Sequence, residues 1–112
     1  MPCLQISTNV CLDGVDTDPI VSAATKAVSE IIGRPENFVM VILKGSVDIS
    51  FERNKEPAAF AEIVAMGGIT SEVKKKLIFQ IGTILLENLS IPRTRLFVKV
   101  FDTTMATKYA KL

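Results

Sequence analysis

Apolar residues recur along this chain with two different periods, and the two alternate twice. Pro2-Cys3-Leu4-Gln5-Ile6-Ser7-Thr8 alternates with a period of two, which predicts a strand carrying Leu4 and Ile6 on one face. Asp13-Gly14 supplies turn chemistry, and Asp18 is the expected N-cap of a helix with Pro19 at its first position. Ile20, Ala24, Ala27, Val28, Ile31 and Ile32 then fall on one helical face, until Gly33 and Pro35 stop the helix. Phe38 to Leu43 follows as a buried strand.

The second half repeats the order. Phe60 to Ala65 reads as a strand, and Gly67-Gly68 breaks it. Thr70 or Ser71 caps a helix with Glu72 in its first turn, and Val73, Leu77, Ile81, Ile84, Leu85 and Leu89 form its apolar stripe. Pro92 precedes a last strand, Leu96 to Phe101. Ser46 to Phe51 is expected to add a short strand, and Glu52 to Glu56 a surface turn. Pro35 and Pro92 stand 57 positions apart (92 − 35), and the same shift lays Ile6 on Ile63 and Val39 on Leu96. The pattern predicts an α+β chain, βαβ-βαβ, in one domain over 1–112 with pseudo-repeats at about 2–45 and 58–102. Two right-handed crossovers would join in a four-stranded mixed sheet, with two antiparallel helices on one face. The strands at 38–43 and 96–101 are apolar at odd and even positions alike, so both sheet faces need cover. Two helices cover one face only, and a second copy of the chain is the expected cover for the other.

Composition narrows the chemistry. The 112 residues carry 13 basic and 12 acidic side chains, for a net charge of +1, and no histidine at all. The commonest general base and metal ligand is therefore missing. Lys74-Lys75-Lys76 lies in a helical pattern without interleaved aromatics and reads as a solvated face, not a nucleic-acid groove. Cys3 and Cys11 are too few and too isolated for a disulfide framework or a zinc site, and Cys3 is expected as a small buried hydrophobe. No apolar stretch is long enough for a membrane span, no signal peptide is apparent, and no metal or organic cofactor is indicated. A soluble intracellular chain is the default expectation.

Several short features then coincide: Met1-Pro2-Cys3 with Thr8-Asn9-Val10, Gly33-Arg34-Pro35, Ser50-Phe51, Glu56-Pro57-Ala58 and Gly67-Gly68-Ile69. In this combination, and in register to about Thr103, the chain resembles the macrophage migration inhibitory factor family. Its flavour is nearest to the plant D-dopachrome-tautomerase-like members. The resemblance implies a homotrimer whose sheets line a central channel, with active sites between neighbouring subunits. It implies keto–enol tautomerisation of compounds such as phenylpyruvate, and removal of Met1 to leave a free secondary amine on Pro2. Model α-amino groups titrate at about 7.7–8.0, and an apolar pocket or a nearby cation lowers that value. Such an amine can take a proton from the carbon beside a carbonyl and return it elsewhere. Without the family pattern, Pro2 reads simply as the start of an edge strand.

The same resemblance assigns the other pocket positions. Arg34 stands where the family has a lysine and would hold a substrate carboxylate, although an Arg between Gly and Pro also reads as an exposed cap residue. Met66 would offer a backbone N–H. Phe97 replaces a tyrosine, removing its hydroxyl, and Lys99 replaces an asparagine, adding a cation where a solvent-facing strand residue is the plainer reading. A lost polarising donor commonly costs about 10²–10³ in rate, so weak or altered activity is expected. The animal factor's Cys-x-x-Cys falls on Ala58 to Ala61, which carry no thiol. Two functions follow. One is a trimeric isomerase of a small enolisable carboxylic acid, with Pro2 as base and Arg34 and Lys99 as anion contacts. The other is a non-catalytic or cytokine-like binding protein acting on a protein receptor through its surface. The chain ends Ala110-Lys111-Leu112, which resembles the peroxisomal address read by an import receptor, so a peroxisomal location is expected if that tail is used.

Overall fold

The computed structural model describes residues 1–104. Strand β1 spans Cys3–Thr8, helix α1 Asp18–Ile32, β2 Met40–Lys44, β3 Ala59–Ala65, α2 Ser71–Leu89 and β4 Leu96–Asp102. Single 3₁₀ turns at Glu36–Phe38 and Arg93–Arg95 lead into β2 and β4. The sheet order is β2-β1-β3-β4, with β1 parallel to β2, β3 parallel to β4, and the central pair antiparallel. Two βαβ units thus meet edge to edge in one mixed sheet, as the repeat of hydrophobic periods predicts.

The core lies between the helices and one face of the sheet. Leu4 and Ile6 of β1 and Ala61 and Ile63 of β3 meet Ile20, Ala24 and Val28 of α1 and Leu77, Ile81 and Leu85 of α2, all essentially inaccessible to solvent. At about 1.5–3 kcal/mol for each large apolar side chain taken from water, this layer supplies the main driving force for folding. Thr8 is buried with them because its hydroxyl donates to the Ala58 carbonyl (2.7 Å) and accepts from the Val10 N–H (3.2 Å).

Four local expectations need correction. Thr17, not Asp18, is the N-cap of α1, and its side chain makes no capping bond. Asp16 does the equivalent work, since its carboxylate accepts the Asp18 N–H at 3.1 Å. Ser46 to Phe51 forms no strand, and the region holds only an isolated bridge between Phe51 and Asn54. Phe51 exchanges both backbone bonds with Asn54 three residues on, and the buried Arg95 guanidinium anchors this loop through the carbonyls of Phe51, Glu56 and Pro57 at 3.0–3.2 Å. β2 begins at Met40 instead of Phe38, because Pro35 starts a 3₁₀ turn that takes up the N–H groups of Phe38 and Val39. Cys3 is half-buried on the sheet face away from the helices, not in the core. The Thr70 hydroxyl accepts from the Val73 N–H at 3.2 Å, which decides between the two candidate caps of α2.

Candidate active site at the proline end of the sheet

Pro2 sits immediately before β1, and alternation places its ring on the helix side with Leu4 and Ile6. The ring is among the fully buried side chains, although Met1 before it is 74% exposed. Its carbonyl accepts the Met40 N–H at 3.0 Å, so Pro2 is fixed by the first bond joining β1 to β2. On the other side β1 runs antiparallel to β3 with Cys3 opposite Val64. Continued by one step, that register sets Pro2 level with Ala65, directly before Met66.

Two further segments reach this end. Gly33 caps α1 in the left-handed region (φ 82°), and its N–H and that of Arg34 both bond the Ser29 carbonyl. The cap projects Arg34 into solvent with no carboxylate within ion-pair distance among the described residues. The turn after β3 has two successive left-handed glycines, Gly67 (φ 79°) and Gly68 (φ 77°), a conformation side-chain-bearing residues rarely hold. A Cβ on Gly68 would lie 3.9 Å from the Ile32 carbonyl, so the turn rests beside the last residue of α1. Pro2, Arg34 and Met66 are therefore brought to one end of the fold by β1, the end of α1 and the end of β3.

Phe97 and Lys99 are not brought there. Phe97 pairs with Phe60, and Phe60 with Ser7, five residues along β1 from Pro2. At about 3.3 Å per residue that is roughly 16 Å along the strand, and both side chains lie on the opposite sheet face. Phe97 is 61% exposed and stacks on Phe60 with ring centroids 5.9 Å apart. The Lys99 ammonium lies 3.4 Å from the Glu62 carboxylate, its register partner on β3. Lys99 is thus not a free cation in the isolated chain. Glu62 was invisible to sequence reasoning because the pairing depends on strand register between residues 37 apart.

Asp102, the last residue of β4, was also missed. Its carboxylate accepts the Gly67 N–H at 3.0 Å and the Thr104 N–H at 2.9 Å. The Thr104 and Gly67 amides, then the Thr104 hydroxyl and the charge of Lys74, hold its carboxyl below the ordinary 3.8. A carboxylate ending an apolar strand run was the available signal. Three clefts of about 230, 380 and 290 Å³ lie on the helical layer around Phe79, Gln80 and Ile84, and none of the three is lined by Pro2, Arg34 or Met66. Among the described residues no cluster of three His, Cys, Asp or Glu could hold a metal ion, and no helix is long and apolar enough to cross a membrane. Ala110, Lys111 and Leu112 lie outside the described residues.

Comparison with known proteins gives one consistent result. The family model for macrophage migration inhibitory factor matches residues 1–110. A macrophage migration inhibitory factor homolog of Trichuris trichiura is 28% identical over 102 residues, covering 91% of this chain and 89% of its own. The Xenopus laevis factor is 28% identical over 106 residues, covering 95% and 91%. The crystal structure of Leishmania major MIF2 superposes with a TM-score of 0.84 at 28% identity, covering 93% of this chain and 90% of that one.

Proposed function

The chain belongs to the macrophage migration inhibitory factor family, and from that premise we propose that it is a keto–enol tautomerase of a small enolisable carboxylic acid using Pro2 as its base. The observation that carries this reading is the setting of Pro2. Its ring is buried, its carbonyl is anchored to Met40, and it stands level with Ala65, directly before Met66.

Once Met1 is removed, the Pro2 nitrogen takes a proton from the carbon beside the ketone. The electron pair moves to the carbonyl oxygen, which the backbone N–H of Met66 stabilises as it becomes an enolate. The proton returns from Pro2 to that oxygen, giving the enol, and the reverse sequence ketonises it. Arg34, exposed and without a carboxylate partner among the described residues, is suited to holding the substrate carboxylate through two parallel bonds. Homotrimerisation would carry a neighbour's Phe97 and Lys99 to this pocket across the gap that separates them within one chain. The substrate is phenylpyruvate-like or dopachrome-like.

A cytokine-like or other binding role is the second reading. Phe97 favours it, because that side chain has no hydroxyl to polarise a substrate, and Lys99 favours it because Glu62 already engages its charge. The terminal Ala110-Lys111-Leu112 supports import into peroxisomes by a tail-reading receptor. A fluorescent fusion that stays diffuse with the tripeptide free at its end would remove that part of the reading.

The deciding experiment is enolisation and ketonisation of phenylpyruvate by Met-processed protein beside Pro2→Gly. A general base commonly contributes about 10²–10⁴ in rate, so turnover is expected to fall by at least about a hundredfold. An assembled protein without turnover would transfer the case to the binding role, and a Pro2→Gly variant as fast as the parent would remove Pro2 as the base.

A further inference from the structure

Beyond its last ladder position, β4 is tied back to the proline end of the sheet in a way that strand pairing does not require. Asp102 stands opposite Ala65 in the register. One carboxylate oxygen accepts both the Gly67 N–H (3.0 Å) and the Thr104 N–H (2.9 Å). The Thr103 hydroxyl donates to the Ala65 carbonyl at 3.3 Å, and a Cβ on Gly67 would come within 3.4 Å of the Thr104 hydroxyl. Three consecutive residues thus clasp the end of β3 and the turn that follows it.

The turn needs such a clasp. Two adjacent glycines have the widest choice of backbone conformation of any pair, and the left-handed arrangement of Gly67 and Gly68 is one option among many. Even a Cβ added to Gly68 would come only within 3.9 Å of the Ile32 carbonyl, so the end of α1 does not by itself fix the turn. A charged acceptor forms hydrogen bonds about twice as strong as a neutral one, and the Asp102 carboxylate is kept ionised by the same amides it binds.

We infer that Asp102 is a positioning residue: by holding the Gly67 N–H it fixes the turn, and with it the aim of the adjoining Met66 N–H at a ligand oxygen beside Pro2. Asp102 does not itself touch the ligand. The inference rests on the tautomerase reading for the identity of that ligand, and its test separates the two.

Full-length, Met-processed Asp102→Ala and Asp102→Asn are compared with the parent in three measurements. These are hydrogen exchange at the Gly67 amide, kcat and KM for phenylpyruvate, and the rate at which a small acetylating reagent modifies the Pro2 nitrogen. In Asp102→Ala, Gly67 exchange is expected to rise about tenfold or more as its acceptor is lost. The kcat is expected to fall about 10–100-fold with KM within about threefold, since an oxyanion donor acts chiefly in the transition state. Pro2 acetylation should stay within about twofold, which general loosening of the fold would not allow. Asp102→Asn keeps an acceptor and should recover most of the kcat, with Gly67 exchange raised about threefold. It decides the matter alone if Asp102→Ala fails to fold.

Parental kcat in Asp102→Ala, unchanged Gly67 exchange in either variant, or Pro2 reactivity lost in step with kcat would each overturn the inference. If the parent itself shows no turnover, the tautomerase reading fails. The positioning role is then judged by Gly67 exchange together with the dissociation constant for phenylpyruvate, which Asp102→Ala must weaken about fivefold or more for the role to stand.

Discussion

The two faces of this sheet are built from similar apolar residues and end in opposite states. Toward the helices, Leu4, Ile6, Ala61 and Ile63 are no more than 1% exposed. On the other face Met40, Phe97 and Phe101 remain 53%, 61% and 43% exposed, with Phe60 and the Lys99–Glu62 pair among them. The first face is finished by the chain's own helices. The second joins a row of apolar residues, Met40, Cys3, Val64 and Phe101, to the Phe60–Phe97 stack, with the Lys99–Glu62 pair and Gln5 between them, and exposed apolar area of this kind marks an interaction site. The candidate site divides along the same line. Its proline end is assembled from β1, the end of α1 and the turn after β3 of one chain, whereas Phe97 and Lys99 belong to the unfinished face. Under the proposed reading, in which a neighbouring copy brings Phe97 and Lys99 to the proline end, activity would depend on assembly.

Mutations can break that contrast directly. Leu77→Ala, in the finished layer, is expected to cost about 2–5 kcal/mol of unfolding free energy in denaturant titration, through lost transfer energy and the cavity left behind. Phe101→Lys, on the open face, should change the subunit's own stability by no more than about 0.5 kcal/mol while lowering the mass measured by light scattering. Equal effects on both quantities from the two substitutions would mean that the faces are not distinct.

A smaller effect sharpens the same comparison at the site. Phe97→Tyr restores a hydroxyl on the open face, where a polarising donor is worth about 10²–10³ when well placed. About a tenfold rise in phenylpyruvate kcat is expected, and only in assembled protein. A rise that persists in a monomeric variant would contradict the division of the pocket between copies.

The smallest expected effect concerns Asp102, at the finished end. Its carboxyl lies below 3.8 in the folded chain because the Thr104 and Gly67 amides bind the ionised form. A depressed carboxyl stabilises the fold above the unfolded value, about 3.9, and loses that contribution as pH falls through the lower folded value. The stability difference between the parent and Asp102→Asn should therefore be level from neutral pH down to about 4 and shrink below it. A difference that grows on acidification would refute this assignment.

Much of the architecture was legible in the chain because hydrophobic period is a local property. The alternation at Leu4 and Ile6, the helical spacing from Ile20 to Ile32, and the glycine and proline stops at Gly33, Pro35 and Pro92 identify elements without knowledge of their neighbours. The exposure of apolar side chains on a second sheet face was equally readable, since strands apolar on both sides announce it. Errors arose where a distant group outbid a local preference. Ser46 to Phe51 looks like a strand, yet its end closes in a bridge to Asn54 and is anchored by Arg95, more than forty residues away, through the Phe51 carbonyl.

The candidate site shows the same boundary. The residue types at Pro2, Arg34, Met66, Phe97 and Lys99 could be picked out from sequence and resemblance together. Their grouping could not, because it depends on which strand lies beside which and on the face each side chain takes. By itself the sequence determined the elements, their order and the presence of a proline at position 2 in a chain without histidine. The tertiary structure alone decided that Lys99 meets Glu62, that Asp102 holds the Gly67 turn, and that Phe97 lies far from Pro2 within one subunit. Periodicity acts over a few residues, whereas register and packing join residues that the chain keeps apart.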